Sequence, residues 1–343
     1  MHDAIRDALN AVFERHDVPE AVCQSAVAAI MDGQCDEISI AAFLTALRVK
    51  GEAIDEIVGA ARAMIERAER VPTQRTGLLD TCGTGGDELH TFNISTATAF
   101  VAAACGVPVA KHGNRGVSSS SGSADVLEAL GVQTQLTPAQ VGRCLDEIGI
   151  GFCFAPVFHG AMRHAAPVRK ALRFRTLFNL LGPLTNPANA EFQLLGASRI
   201  ATAEKLANAA ARLGRSRALV VCGNDQLDEV SLWGETAVFE AAAGSVRRLT
   251  WSAATFGLSE CSVSELQVGS PAESAIRIRA VFRGERSASR DIVVANAAAA
   301  LIAAKSETDP LSAAERAAGA IDSGETAALL ARFAERTQSL AAK

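Results

Sequence analysis

From Leu78 onwards, short apolar runs alternate with stretches of helical length, and this alternation restricts the fold more than any other feature. LLD, STATAFVAAAC, VPVA, SADVLEALG, TPAQVGRCLDEIG, GFCFA, TAEKLANAAARLG and ALVVCG follow one another in that order. Strand–helix alternation of this kind builds a mainly parallel sheet flanked by helices, because each crossover must return over a sheet face. Thr137-Pro138 and Gly149 bracket one helix with cap and first-turn proline chemistry. Ligands of such sheets sit beyond the carboxyl ends of the strands. The strand-to-helix loops are therefore where function is to be sought.

The chain before this point carries no strand signal. Residues 1–70 read as four short helices. In the clearest, Ile40, Phe43, Leu44 and Leu47 recur at helical spacing, with Ser39 placed as N-cap and Gly51 to end the helix. A polar link, ERVPTQRTG, follows. From about Asn296 to Lys343 the chain is again helical and rich in alanine. The expected fold class is α/β: a small N-terminal all-helical domain and a larger α/β domain with a mainly parallel central sheet flanked by helices.

A formal net charge of -5 gives no global field to attract nucleic acid or an anionic membrane, so an anionic ligand must be caught locally. The 8 cysteines form no CxxC pair and lie in apolar or small-residue surroundings, which predicts free thiols in a reducing compartment. The N-terminus is charged throughout, and no run approaches the roughly 18 apolar residues of a membrane span. A cytoplasmic enzyme is expected, without nucleic-acid or membrane partners.

Two loops stand out. After LLD, Gly83, Thr84, Gly85 and Gly86 let backbone N–H groups turn towards an anion. Asn93, Ser95 and Thr96 then open a helix whose amides and dipole favour phosphate, and the Ser95 hydroxyl could ligate magnesium. The spacing matches neither a Walker loop nor a dinucleotide fingerprint. After VPVA, Lys111, His112, Asn114 and Arg115 stand with Ser118, Ser119, Ser120, Ser121 and Ser123, a pattern that suits a second anion cradle or a polar surface loop.

Two charged groups complete the picture. Asp228 and Glu229 are adjacent after the apolar run ALVVCG, and magnesium prefers a few carboxylates with substrate phosphates and waters. Arg163, His164, Arg169, Lys170, Arg173 and Arg175 crowd one short region, and one arginine could clamp a substrate carboxylate beside the apolar Gly182-Pro183-Leu184 turn.

At these residues the chain resembles the anthranilate phosphoribosyltransferases, of the nucleoside-phosphorylase-like fold. The matching stretches are AAFLTALRVKGE, GTGGD (83–87), NIST (93–96), KHGNRGVSS (111–119), SGSADVLEALG (121–131), VRKALRFRTLFNLLGPLTNP (168–187) and LDE (227–229). The resemblance implies a small dimerisation domain at 1–72, with a contribution from about 167–186, and a substrate-binding domain at 73–166 and 187–343. It implies that Gly83, Thr84, Gly85, Gly86, Asp87, Thr91, Asn93, Ser95, Thr96, Lys111, Asn114, Ser118, Ser119 and Ser123 bind phosphoribosyl pyrophosphate (PRPP). Ser95, Asp228 and Glu229 would hold two magnesium ions. Gly83, His112, Asn114, His159, Arg169 and Pro183 would line the anthranilate site, with His112 as a positioning group and no essential acid or base. A homodimer is implied. Gly160, Ser120, Arg173, Cys222 and Gln226 depart from the family pattern. A pyrimidine nucleoside phosphorylase is the alternative reading of the same fold; the GTGGD and NIST loops, with Arg169 ahead of LGPLTNP, oppose it.

Overall fold

The computed structural model describes residues 1–116 and 121–342. The N-terminal region forms the four expected helices: α1 (Asp3–Phe13), α2 (Glu20–Met31), α3 (Glu37–Lys50) and α4 (Ile54–Glu66). The cap of α3 differs from the expectation. Asp36, not Ser39, is its N-cap: its carboxylate accepts the Ser39 backbone N–H at 2.9 Å and the Ser39 hydroxyl at 2.7 Å. An aspartate one turn earlier supplies two acceptor oxygens and suits the positive end of the helix, so it takes the position from the serine. Gly51 ends the helix as expected, at φ 87°.

Strands and helices then alternate: β1 (Leu79–Gly83), α5 (Ile94–Ala104), β2 (Val109–Gly113), α6 (Ser123–Ala129), α7 (Pro138–Ile148) and β3 (Ile150–Phe154). Thr137 and Gly149 cap α7 at its two ends. Three short helices, α8 (Ala155–Phe158), α9 (Ala166–Leu172) and α10 (Phe178–Leu181), lead to β4 (Phe192–Gly196), α11 (Ile200–Arg212) and β5 (Arg217–Gly223). A hairpin of β6 (Thr236–Ala242) and β7 (Ser245–Trp251) precedes α12 (Pro271–Phe282), α13 (Ala288–Ala303), α14 (Pro310–Asp322) and α15 (Glu325–Ala341).

The seven strands form one sheet in the order β3-β2-β1-β4-β5-β6-β7. β3 to β5 are parallel, and β6 and β7 are antiparallel. The hairpin turns on Ala243 and Gly244, both at positive φ (49° and 76°). Two such residues give the twist a tight hairpin needs, but Ala-Gly lacks the usual Asn-Gly signature.

Alternation along the strands divides the core. Leu194, Leu219, Val221 and Val238 pack with α5, α13 and α14 on one face. Leu195, Val220, Cys222 and Phe239 pack on the other with α11 and with residues of α1 to α4. Val168, Leu177, Phe178, Leu181 and Leu184 join this second cluster, so the segment around α9 and α10 shares a core with the N-terminal helices. The chain steps from β1 to β2 and β3, then returns to the other side of β1 to form β4 and β5. The direction of winding thus reverses between β1 and β4, where the carboxyl ends of two strands leave a crevice.

Candidate active site

The loop after β1 fills that crevice. Gly85 and Gly86 lie at φ 62° and 76°, a region that glycine enters without the Cβ clash of other residues. The Thr84 N–H donates to Gly196 O at 2.9 Å, which ties the loop to the end of β4. Asp228, reached from β5, sits between the two strand ends: a Cβ on Gly83 would run into its carboxylate, and one on Gly196 into its carbonyl. Its Oδ2 accepts the Gly85 N–H at 2.8 Å. On the far side, the Arg175 guanidinium donates to Thr84 O at 2.9 Å and to Gly85 O at 2.6 Å.

Asn93 caps α5, accepting the Thr96 N–H at 3.0 Å while its amide donates to Ser121 O at 2.8 Å. Ser95 is half-buried at the helix start; Thr96 is fully buried behind it. Thr91 is half-buried and forms an isolated bridge with Gln267.

Three carboxylates crowd beneath the loop. Burial and the Asp228 charge push Asp87 up to about 7, and the two side chains approach closely enough to share a hydrogen bond. Burial raises Asp228 as well, against the opposing Gly85 N–H. Glu229 is raised well above the usual carboxylate range, by burial and by Asp228, while Lys111 and the Ser95 backbone N–H ease it. Like charges in a desolvated crevice raise one another, and a cation among them removes the penalty. Among the described residues no three His, Cys, Asp or Glu side chains converge to cage an ion unaided. A hard divalent cation there would take a few of these carboxylate oxygens and complete its shell with the Ser95 hydroxyl and substrate or water oxygens.

Lys111 and His112 lie on β2 and are buried, each only 3% exposed. The Lys111 ammonium donates to Thr81 O and, at 3.1 Å, to Ser95 Oγ, so it supports the start of α5 from below. Burial lowers its pKa, and Asp80, Glu229 and Asp228 oppose that fall. Asp80, buried on β1 and pushed up to about 6 by desolvation, accepts the His112 N–H at 2.9 Å. The His112 Nδ1 is 2.9 Å from Gly182 O. Burial lowers His112 to about 4, so the ring is neutral at physiological pH. A carbonyl can only accept, so Nδ1 carries the proton and Nε2 is left as a bare acceptor. Among the described residues Nε2 has no hydrogen-bond partner within normal distance, and neither ring nitrogen of the buried His159 has one; the two rings stand 5.1 Å apart. Burial, aided by His112, lowers His159 to about 3.

Arg169 is half-buried on α9 with its guanidinium 5.6 Å from the Phe178 ring centre. Burial lowers its pKa, and no neighbouring carboxylate among the described residues offsets this. A desolvated guanidinium of this kind suits an incoming carboxylate. Pro183 is buried in the turn beside His112, and its carbonyl accepts from Gln193 at 2.8 Å.

The second loop is less open than its composition suggests. Arg115 pairs with Asp125 at 2.9 Å and Glu128 at 2.7 Å, which removes it as a free anion-binding cation. Asn114 is exposed, and its carbonyl accepts from Ser123 Oγ at 3.2 Å. Ser118, Ser119 and Ser120 lie outside the described residues. Of the departures from the family pattern, Gly160 is exposed in open space and Arg173 ends α9 in the left-handed region at φ 55°. Two residues of the site escape a sequence reading. Asp80 looks like the polar end of an apolar run, and Arg175 is one cation among six.

Known proteins match this chain in sequence and in fold. Residues 6–68 match the helical bundle domain of the glycosyl transferase family, and residues 75–327 match its a/b domain. The anthranilate phosphoribosyltransferase of Symbiobacterium thermophilum is 48% identical over 335 residues, covering 98% of each chain. The crystal structure of the Thermus thermophilus anthranilate phosphoribosyltransferase superposes with a TM-score of 0.91 at 41% identity, covering 97% of this chain and 99% of that one. The Saccharomyces cerevisiae enzyme in complex with PRPP and Mg superposes with a TM-score of 0.90 at 27% identity, covering 99% of both. Matched along nearly its whole length in sequence and in fold, the chain belongs to the anthranilate phosphoribosyltransferases of the glycosyl transferase family.

Proposed function

We propose that this chain transfers the phosphoribosyl group of PRPP to the amine of anthranilate, giving N-(5-phosphoribosyl)anthranilate and pyrophosphate, the second step from chorismate to tryptophan. The observation that carries this reading is the junction at the β1–β4 crevice, where a glycine loop, the start of α5 and the Asp228–Glu229 pair meet. Gly83 to Asp87, Thr91, Asn93, Ser95 and Thr96 bind or shape the place of PRPP, with Lys111 beneath them. Asn114, Ser118, Ser119 and Ser123 contribute from the second loop. Ser95, Asp228 and Glu229 hold two magnesium ions, which when bound offset the negative charge that grows on the departing pyrophosphate.

Arg169 takes the anthranilate carboxylate on its two-pronged face, while Gly83, Pro183, Asn114 and His159 bound the ring. His112 offers Nε2 as an acceptor to the amine and so orients it towards the anomeric carbon. The arylamine is already neutral, so the chain needs no essential acid or base. The segment from 167 to 186 goes with residues 1–72, which its shared core with α1 to α4 supports. Exposed Phe13, Ile38 and Val49 on α1 and α3 support a homodimer joined there. Eight free cysteines support a cytoplasmic location, and no helix among the described residues is long and apolar enough to cross a membrane.

Loss of anthranilate fluorescence tests the reading directly. Consumption is expected only with PRPP and magnesium together. Absence of consumption by folded protein, with phosphate-dependent cleavage of a pyrimidine nucleoside in its place, would move the chain to the phosphorylases.

A further inference from the structure

Arg175 makes contacts that neither binding nor packing alone accounts for. It lies between α9 and α10, a segment whose Val168, Leu177, Phe178 and Leu181 are anchored in the core of the N-terminal helices. Its guanidinium leaves that segment and reaches two successive carbonyls of the loop after β1, Thr84 O and Gly85 O. The peptide unit joining Thr84 to Gly85 is therefore held at both ends. Arg175 takes its carbonyl at 2.9 Å, and Asp228 takes its N–H at 2.8 Å. A trans peptide points these groups in opposite directions, so the two side chains together set the plane of the unit. Gly86 continues the close fit: a Cβ there would overlap the guanidinium.

We infer that Arg175 is a positioning residue for PRPP, a strap that fixes the peptide planes of the glycine loop from the side that carries Arg169. The inference rests on the reading of this loop as the PRPP site. Its chemistry is that of a planar fork. One guanidinium satisfies two adjacent acceptors in fixed geometry, whereas a lysine supplies a single point charge. Residues six positions apart, Arg169 and Arg175, thus serve the two substrates from one rigid segment, the first facing the carboxylate of the acceptor and the second shaping the loop for the donor.

The test uses full-length Arg175→Ala and Arg175→Lys. Loss of two charged hydrogen bonds should raise the KM for PRPP by about tenfold or more in both, with the KM for anthranilate and kcat changed far less. Guanidinium ion at millimolar concentration should restore part of the PRPP affinity to Arg175→Ala and none to Arg175→Lys, whose side chain fills the space. Hydrogen exchange provides a readout independent of turnover: the amides of Gly85 to Leu89 should exchange faster in Arg175→Ala, while those of α5 keep their protection. An unchanged PRPP KM in Arg175→Ala, or wild-type kinetics in Arg175→Lys, would overturn the strap. If wild-type protein consumed no anthranilate, the functional reading would fall, and loop exchange unchanged by Arg175→Ala would remove the strap independently.

Discussion

Arg169 suits a ligand carboxylate through what its surroundings lack. Several surface arginines have acidic partners, such as Arg115 with Asp125 and Glu128, and such pairs contribute little. Arg169 instead lies half-buried against the Phe178 ring, and burial alone governs its pKa. Its charge is desolvated without compensation, so a bound carboxylate recovers more there than at the surface. Arg169→Ala should therefore raise the KM for anthranilate by about ten- to a hundredfold, equivalent to roughly 1.5–3 kcal/mol for a charged hydrogen-bonded contact. The KM for PRPP should stay within a few-fold. Steady-state kinetics with each substrate varied in turn separates the two, and an unchanged anthranilate KM would reject the clamp.

At the scale of the element, the loop after β1 works through where it has no side chains. Gly83 and Gly85 are both glycines but for different reasons. A Cβ at Gly83 would meet the Asp228 carboxylate, whereas Gly85 faces open space and needs glycine only for its φ of 62°. Gly83→Ala should displace Asp228 and weaken magnesium and PRPP binding together, by at least tenfold in a magnesium titration of turnover. Gly85→Ala should cost about 1 kcal/mol of backbone strain, hence a few-fold. Equal effects of the two would show that the Asp228 contact does not matter.

This difference also marks how far the site can be read from its sequence. Gly83 to Gly86, the cap of α5 and the acidic pair are local in the chain, and their turn and cap chemistry is legible. β4 is a five-residue run, and the β6–β7 turn uses Ala-Gly, so neither carries a strong sequence signal. The distances that join Arg175 to Thr84, or Asp80 to His112, span 91 and 32 residues and depend on strand order, which periodicity does not contain.

The pH dependence of stability belongs to the whole molecule, because it compares the folded chain with the unfolded one. His112 and His159 are packed between β2, the turn at Gly182–Leu184 and the start of the helical segment, and burial lowers them to about 4 and about 3. In the unfolded chain each takes up a proton near pH 6.5. Below that pH the unfolded state binds more protons, so their stabilising contribution is complete above 6.5 and is lost as the pH falls towards 4. Asp80 acts in the opposite sense. Desolvation raises it to about 6, so the folded chain holds a proton that the unfolded chain has released, and its contribution grows as the pH falls from 6 towards 3.8. Asp87, Asp228 and Glu229, all raised by burial, act in the same sense as Asp80, so the histidine contribution shows in the comparison of a histidine variant with the wild type between pH 6.5 and 5. His159→Gln removes one of these histidines and keeps an amide that can meet the Thr185 backbone, so it changes the proton balance with little change in polar contacts. On acidification over that range, the stability of this variant relative to the wild type should rise by roughly 1.5 kcal/mol, as extrapolated from urea unfolding. Parallel curves for the two proteins would mean that His159 titrates alike in the folded and unfolded chains, and that the histidine pair is solvated rather than sealed within the interior of the molecule.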